Sequence, residues 1–400
     1  MTTRDEGKAS AADRDVALSL VRDDLPFRAL RKVGLVPAKG LGTVRRAVFF
    51  ALLAWLPIAI WAWQAGRALP GAPGEPLLQH FGVQVRCLLA IPILILAQGF
   101  AHKTTTRLIP WFERSGVVPE TRRAQFQQVV HGVHRLRSAT LPWVVILGLA
   151  VAWTALGPVA RKGEDLSWAM QDTTGPPHFG FGGWWFLFVA RPIYIVLLLA
   201  WLWRLGLLTL LFRRTSKLGL DLVPTHPDRT GGLGFVERFA VMFAPVAFVL
   251  SAVLASNWAH QVLYHGISVQ SLRVPAAIFV VVTLLLFLAP LLVFAGPLAA
   301  AKKRAELEYG ALVGRHGDLV RKRWILREPI GDASLLEAPE IGPVADTISL
   351  FQAVKSMRPM PVGKPSLLAI GLPAVLPLLA VFAIKIPITE ILGKLLHAVA

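Results

Sequence analysis

The most unusual polar stretch of this chain is a proline- and glycine-rich segment at residues 221–235. A histidine lies between two prolines there, and three glycines follow it closely. Because proline restricts the backbone on both sides, the direction of the His226 imidazole is largely set. The residues of this stretch that could do chemistry are Asp221, His226, Asp228, Arg229, Gly231 and Gly232.

Three kinds of site fit this stretch. Glycine N–H groups before a helix, together with Arg229, could bind an anion or a lipid phosphate. Alternatively, His226 with Asp221 and Asp228 could coordinate a divalent cation, or the segment could act on a lipid head group. The third interpretation is a rigid turn, in which Asp228 caps the next helix. No strand pattern precedes the glycines, so the phosphate-loop and dinucleotide-binding fingerprints are excluded.

His131 and His134 form a second candidate metal site. Their spacing of three residues places both side chains on one side of a helix. No carboxylate accompanies them at helical spacing, as the zinc peptidase motif requires. Two exposed histidines on a basic helix are therefore the stronger interpretation, and the sequence predicts no cofactor.

Two arginines inside apolar segments carry the strongest electrostatic signal. Arg86 and Arg191 each lie several residues inside a run of apolar side chains. An arginine near the centre of a bilayer costs roughly 2.5–3.5 kcal/mol and usually faces a bundle interior or a cavity. The two arginines could line a positive vestibule that attracts anions. The alternative is that both side chains extend to the lipid head groups.

Seven apolar segments must position these residues. A helix crossing the hydrocarbon core needs about 20 apolar residues, and each segment reaches or approaches that length. Most contain proline, so kinked helices are expected. The single cysteine, Cys87, excludes an intramolecular disulfide. The segments are 47–66, 80–100, 141–158, 184–206, 236–257, 274–299 and 367–385.

The basic residues between these segments fall on alternate sides. Residues 1–46 contain ten Lys or Arg, and residues 300–365 contain eleven. Residues 67–80, 159–183 and 258–273 together contain four. The positive-inside rule therefore predicts a cytoplasmic N-terminus in the cell membrane, the inner membrane of a two-membrane cell. The net charge of +18 is explained by anionic lipid, so no nucleic-acid partner is expected.

These patterns predict an all-α, polytopic membrane bundle of about seven kinked helices with a cytoplasmic helical layer. Four regions follow in order along the chain. They are a cytoplasmic tail with an amphipathic helix (1–46), six spans with cytoplasmic extensions (47–299), a cytoplasmic helical subdomain (300–365), and a seventh span with a short amphipathic C-terminal helix (366–400).

The function predicted first is a channel or carrier for small anions, which the sequence favours over an enzyme. It rests on Arg86 and Arg191, on the absence of Asp and Glu from the cores of the first six segments, and on the proline-broken spans. One alternative is a membrane enzyme that acts on lipid head groups through residues 221–235. The other is a non-catalytic membrane scaffold. Membrane lipids, a small anion and further copies of the chain are the expected partners.

Overall fold

The structure is a computed structural model, and its described part consists of helices joined by turns and loops, with no strands. It describes residues 18–22, 24–37, 40–69, 76–160, 168–169, 179–329 and 342–384. The predicted C-terminal amphipathic helix and residues 1–17 of the predicted tail lie outside these ranges.

Eleven helices in the described ranges position the candidate sites. They are α1 (Leu25–Lys32), α2 (Thr43–Gln64), α3 (Phe81–Arg114), α4 (Glu120–Ser138), α5 (Leu141–Ala160), α6 (Phe181–Thr215), α7 (Gly234–Tyr264), α8 (Val269–Leu292), α9 (Ala295–Val320), α10 (Gly342–Ser356) and α11 (Lys364–Ala383).

Six of these helices are long and apolar enough to cross a membrane, namely α2, α3, α6, α7, α8 and α11. The remaining predicted segment, 141–158, lies in α5, which meets α4 at a bend of 42°. If this bent pair counts as one span, the number is seven. The predicted all-helical architecture is therefore confirmed, with six to seven helices suited to a membrane.

Helices α3 and α6 share a local pattern that the sequence analysis did not use. Each begins with Phe-Gly, at residues 81–82 and 181–182, and each then widens into a π-helical segment. The π segments are Val85–Ala90 and Phe186–Ala190, and a proline follows each of them. Proline lacks an N–H and crowds the preceding turn, so a wider turn relieves the clash. The bend at each proline stays a prediction.

The end of α3 that carries Arg107 and Arg114 meets the end of α6 that carries Arg213 and Arg214, and this end of the bundle is called here the basic end. The Phe112 ring lies 4.8 Å from Phe235 and 6.1 Å from both Phe212 and Phe294. Beyond these rings, Lys302 on α9 donates to the carbonyl of Met357 at 2.8 Å. A helical layer thus covers the basic end, and α10 packs along α9 within it.

Candidate functional sites

The 221–235 stretch is a turn organised by the carboxylate of Asp228. Its Oδ1 accepts hydrogen bonds from the N–H groups of Thr230 (2.8 Å) and Gly232 (3.2 Å), and Oδ2 accepts from Gly234 (2.7 Å). His226 Nδ1 lies 2.8 Å from Oδ1. Burial raises the pKa of Asp228, but the three backbone bonds and His226 outweigh it and hold that pKa below its usual range.

The conformation of this turn explains its glycines. Gly231 and Gly232 have φ of 62° and 93°, and Arg229 is also left-handed at 58°. The Arg229 carbonyl accepts from the N–H of Arg358 at 2.6 Å, and Arg358 forms an ion pair with Glu237 at 2.9 Å. The N–H groups of Thr230, Gly232 and Gly234, which could have bound an external anion, are thus directed at Asp228. This arrangement favours the rigid turn over the anion or lipid site.

The predicted histidine pair lies on the exposed surface of α4. His131 Nδ1 lies 2.8 Å from the carbonyl of Gln127 in the same helix, and His134 is exposed nearby. Within the described ranges, no group of three or more His, Cys, Asp or Glu residues is arranged to hold a metal ion. The weak metal candidates Asp221, His226, Asp228, His131 and His134 therefore stay predictions without a described ligand cluster.

Arg86 lies in the π segment of α3 and lines a small polar cavity, called here the Arg86 cavity. Its volume is about 50 Å³, and it lies at the end of the bundle opposite the basic end. Its polar lining consists of Arg86, His80, Asn257, His260, Gln261 and His265. The rings of His80 and His260 are stacked with centroids 4.7 Å apart.

The hydrogen bond of His260, which lines the Arg86 cavity, fixes the tautomer of its neutral ring. Its Nδ1 lies 3.0 Å from the carbonyl of Gln79. A carbonyl can only accept, so Nδ1 must carry the proton and donate. The Nε2 atom is then an acceptor in the neutral ring and a donor in the protonated ring.

The structure does not bring Arg191 into the Arg86 cavity. Arg191 follows the π segment of α6, is half-buried, and is absent from the cavity lining. The two arginines thus lie in two helices of similar pattern but at different positions, Arg86 within the π segment and Arg191 directly after it. Of the two, only Arg86 lines the cavity.

A second arginine cluster lies near the basic end. Arg204 Nη2 forms an ion pair with Asp24 at 3.0 Å, with side-chain exposures of only 4% and 5%. Arg46, from the first turn of α2, donates to Gln98 Oε1 at 2.9 Å. The Arg204 guanidinium also lies 5.4 Å from the centre of the Trp201 ring, a cation–π distance.

The chain segment before α1 is anchored beside this cluster. Asp24 caps α1 by accepting from the N–H of Phe27 at 3.0 Å. The Ser19 hydroxyl lies 2.7 Å from His102 Nδ1, and the Ser19 carbonyl accepts from Arg137. These bonds hold the Asp24 carboxylate against Arg204.

Sequence reasoning missed this cluster because it treated Arg46 and Arg204 as charges flanking the spans. One signal was available: Arg204 lies between Trp203 and Leu205, inside an otherwise apolar run. The partner was not visible, since Asp24 lies 180 residues earlier in a segment that resembles a surface helix.

Comparison with models of protein families, with curated proteins and with solved structures finds no match to this chain. The functional argument therefore depends on the geometry of the two arginine sites.

Proposed function

We propose that this chain is a multi-pass protein of the cell membrane, with a cytoplasmic N-terminus, that carries small anions. Six or seven helices with the length and composition of membrane spans support the location. The basic end contains the segments that are rich in Lys and Arg, which supports the orientation. Lipids would cover the exposed apolar faces, and assembly into a homo-oligomer is part of the proposal.

The observation that carries the anion proposal is the Arg86 cavity. A fixed positive charge is surrounded there by amide and imidazole groups that can donate hydrogen bonds. The volume of about 50 Å³ exceeds what one water molecule needs, so a small anion fits beside the guanidinium. In an apolar layer an anion would gain more from this arginine than it would in water.

The packing between the two ends favours a carrier over an open pore. Among the described residues, fully buried apolar side chains fill the bundle between the Arg86 cavity and the basic end, including Leu94, Ile95, Val246, Ala247 and Leu208. Passage of an anion would require these helices to move. The π segments of α3 and α6 are suitable places for such movement, because their backbone hydrogen bonding is already irregular.

The test is anion efflux from proteoliposomes that contain the purified protein. Arg86→Gln should lower the efflux at least roughly tenfold, since hydrogen bonds from a charged group contribute about 1.5–3 kcal/mol. Arg273→Gln is the matched control, because it removes the same charge from an exposed position at the same end of the bundle. Equal efflux in both variants, or no efflux above empty liposomes for the wild type, would contradict the proposal.

One observation favours a scaffold as a second function. The basic end exposes large apolar side chains, with Leu307 at 71%, Trp324 at 68% and Ile325 at 72%. A cytoplasmic partner could cover them. Trp324→Ser should then abolish crosslinking of that partner in membranes while anion efflux stays unchanged, and unchanged crosslinking would argue against the scaffold.

A further inference from the structure

A groove runs from the buried arginine cluster along the side of α6. Its volume is about 240 Å³, and it is bounded by residues of α1, α2, α3, α5 and α6. We propose that this groove, called here the Arg204 groove, binds an anionic amphiphile: a phosphate or carboxylate head at Arg46 and Arg204 and an apolar chain along α6. This inference needs the membrane setting, but it does not depend on anion transport.

The charges at the head of the groove do not cancel. Two guanidinium groups, Arg46 and Arg204, face one carboxylate, Asp24, and all three are buried with at most 5% exposure. Gln98 neutralises no charge, so among the residues that the structure describes a net positive charge is left at the head of the groove. A buried charge without a counter-charge is costly, and an anionic ligand at this position would remove that cost.

The hydrogen bonds at the head of the groove are also incomplete, and only donors are left over. Arg46 Nε and Nη1, Arg204 Nη1 and Trp143 Nε1 are buried without an acceptor among the described residues. The nearby acceptors are already engaged, since Asp24 accepts from Arg204 and Phe27, and Gln98 Oε1 accepts from Arg46. Buried donors are nearly always satisfied in proteins. A ligand with several oxygen atoms, such as a phosphate or carboxylate, supplies the missing acceptors, and guanidinium groups suit both.

The rest of the groove selects against a bare inorganic anion. Its walls are apolar side chains, including Leu30, Phe50, Ile95, Ile193, Val196 and Leu197. Along α6 the lining extends from Arg204 to Pro192, twelve residues or roughly 18 Å at 1.5 Å per residue. A small hydrated anion would leave this length unfilled, whereas an acyl or isoprenoid chain would bury apolar surface along it.

The position of the groove gives a membrane amphiphile a route to it. Trp143 lines the groove from α5, and the same helix exposes Leu141 at 73% and Val144 at 58%. The other edge is α1, whose Pro26 and Leu30 line the groove beside the arginines. A head group at the basic end would thus lie at the level of lipid head groups, with its chain beside the lipid tails.

The test uses native mass spectrometry of the whole protein in a neutral detergent, with dodecyl phosphate as the probe. The expected result is one bound dodecyl phosphate per chain, with far weaker binding of inorganic phosphate and of dodecanol. Inorganic phosphate binding as well as dodecyl phosphate would overturn the amphiphile proposal in favour of a free-anion site. Binding of dodecanol as tight as that of dodecyl phosphate would show that the arginines do not select an anionic head group, and this result would also overturn the proposal.

Three variants locate the site. Arg46→Gln should weaken dodecyl phosphate binding at least tenfold, whereas the exposed neighbour Arg45→Gln should change it less than about twofold. Val196→Trp fills the groove without touching the arginines, so it keeps the test decisive if Arg46→Gln fails to fold. Equal weakening in the two arginine variants, or unchanged binding in a folded Val196→Trp, would overturn the proposal.

Discussion

The Arg86 cavity and the Arg204 groove both place arginine within apolar helices, yet their surroundings differ. Arg86 is half-buried among histidine, asparagine and glutamine side chains in about 50 Å³. Arg204 and Arg46 are almost fully buried beside about 240 Å³ of mainly apolar space. An arginine among apolar helices therefore does not by itself identify a ligand. The neighbouring side chains decide between a small anion and an amphiphile.

The two regions also differ in how the protein stabilises its own charge. Asp24 supplies a counter-charge to Arg204 from a distant part of the chain. At the Arg86 cavity, amide and histidine side chains line the space around the arginine. The Arg204 groove therefore forms only when the segment that carries Asp24 is in place, whereas the Arg86 cavity is formed by the ends of α3 and α7.

The largest expected effect is loss of the buried ion pair in Asp24→Asn. Asparagine can still accept the capping bond from Phe27, but Arg204 loses its counter-charge. Breaking one partner of a buried pair typically costs about 3–5 kcal/mol. The free energy of unfolding should fall by that order in denaturant titrations monitored by tryptophan fluorescence.

The control for this change is Glu120→Gln, which breaks the surface pair with Arg123 at 3.2 Å. Surface pairs contribute about 0–1 kcal/mol, so this variant should be nearly as stable as the wild type. If Asp24→Asn is no less stable than Glu120→Gln, the buried ion pair does not stabilise the Arg204 groove. The contrast drawn between the groove and the Arg86 cavity is then wrong.

A smaller effect is expected at the 221–235 turn, where the chain's own carboxylate satisfies the N–H groups. Asp228→Asn should lower the free energy of unfolding by about 1.5–3 kcal/mol at neutral pH, because hydrogen bonds to a charged acceptor are lost. His226→Ala should cost less, since the His226 side chain is 43% exposed.

The sign of the pH dependence follows from the lowered pKa of Asp228. A depressed pKa in the folded state stabilises the fold above the ordinary aspartate pKa, and this stabilisation is lost as the pH falls through the folded pKa. The difference in stability between wild type and Asp228→Asn should therefore be largest at neutral pH and shrink below about pH 4. A difference that grows on acidification would contradict the structural role of the carboxylate.

The smallest effect is expected for Arg191. Because Arg191 does not line the Arg86 cavity, Arg191→Gln should change anion efflux less than about twofold, whereas Arg86→Gln lowers it at least roughly tenfold. Equal losses of efflux in the two variants would support the vestibule of two arginines predicted from the sequence. They would contradict an anion site in which Arg86 acts without Arg191.

Much of the fold follows from one-dimensional patterns. The lengths of the apolar runs predicted about seven span-like helices, and the structure has six or seven. Charges inside two of these runs singled out Arg86 and Arg191, of which only Arg86 lines the cavity. The π segments were not predictable from hydropathy, because widening of a turn depends on local crowding around Pro92 and Pro192. The Asp24–Arg204 pair was also missed, since nothing in a single sequence links residues 180 positions apart.

The most direct test measures anion efflux and dodecyl phosphate binding in the same three proteins. These are the wild type, Arg86→Gln and Arg46→Gln, and each variant is first shown to be folded. We expect Arg86→Gln to lose efflux at least roughly tenfold and keep dodecyl phosphate binding, and Arg46→Gln to show the reverse. If each variant loses both activities to the same extent, the two arginine sites do not serve different anions, and the account is contradicted.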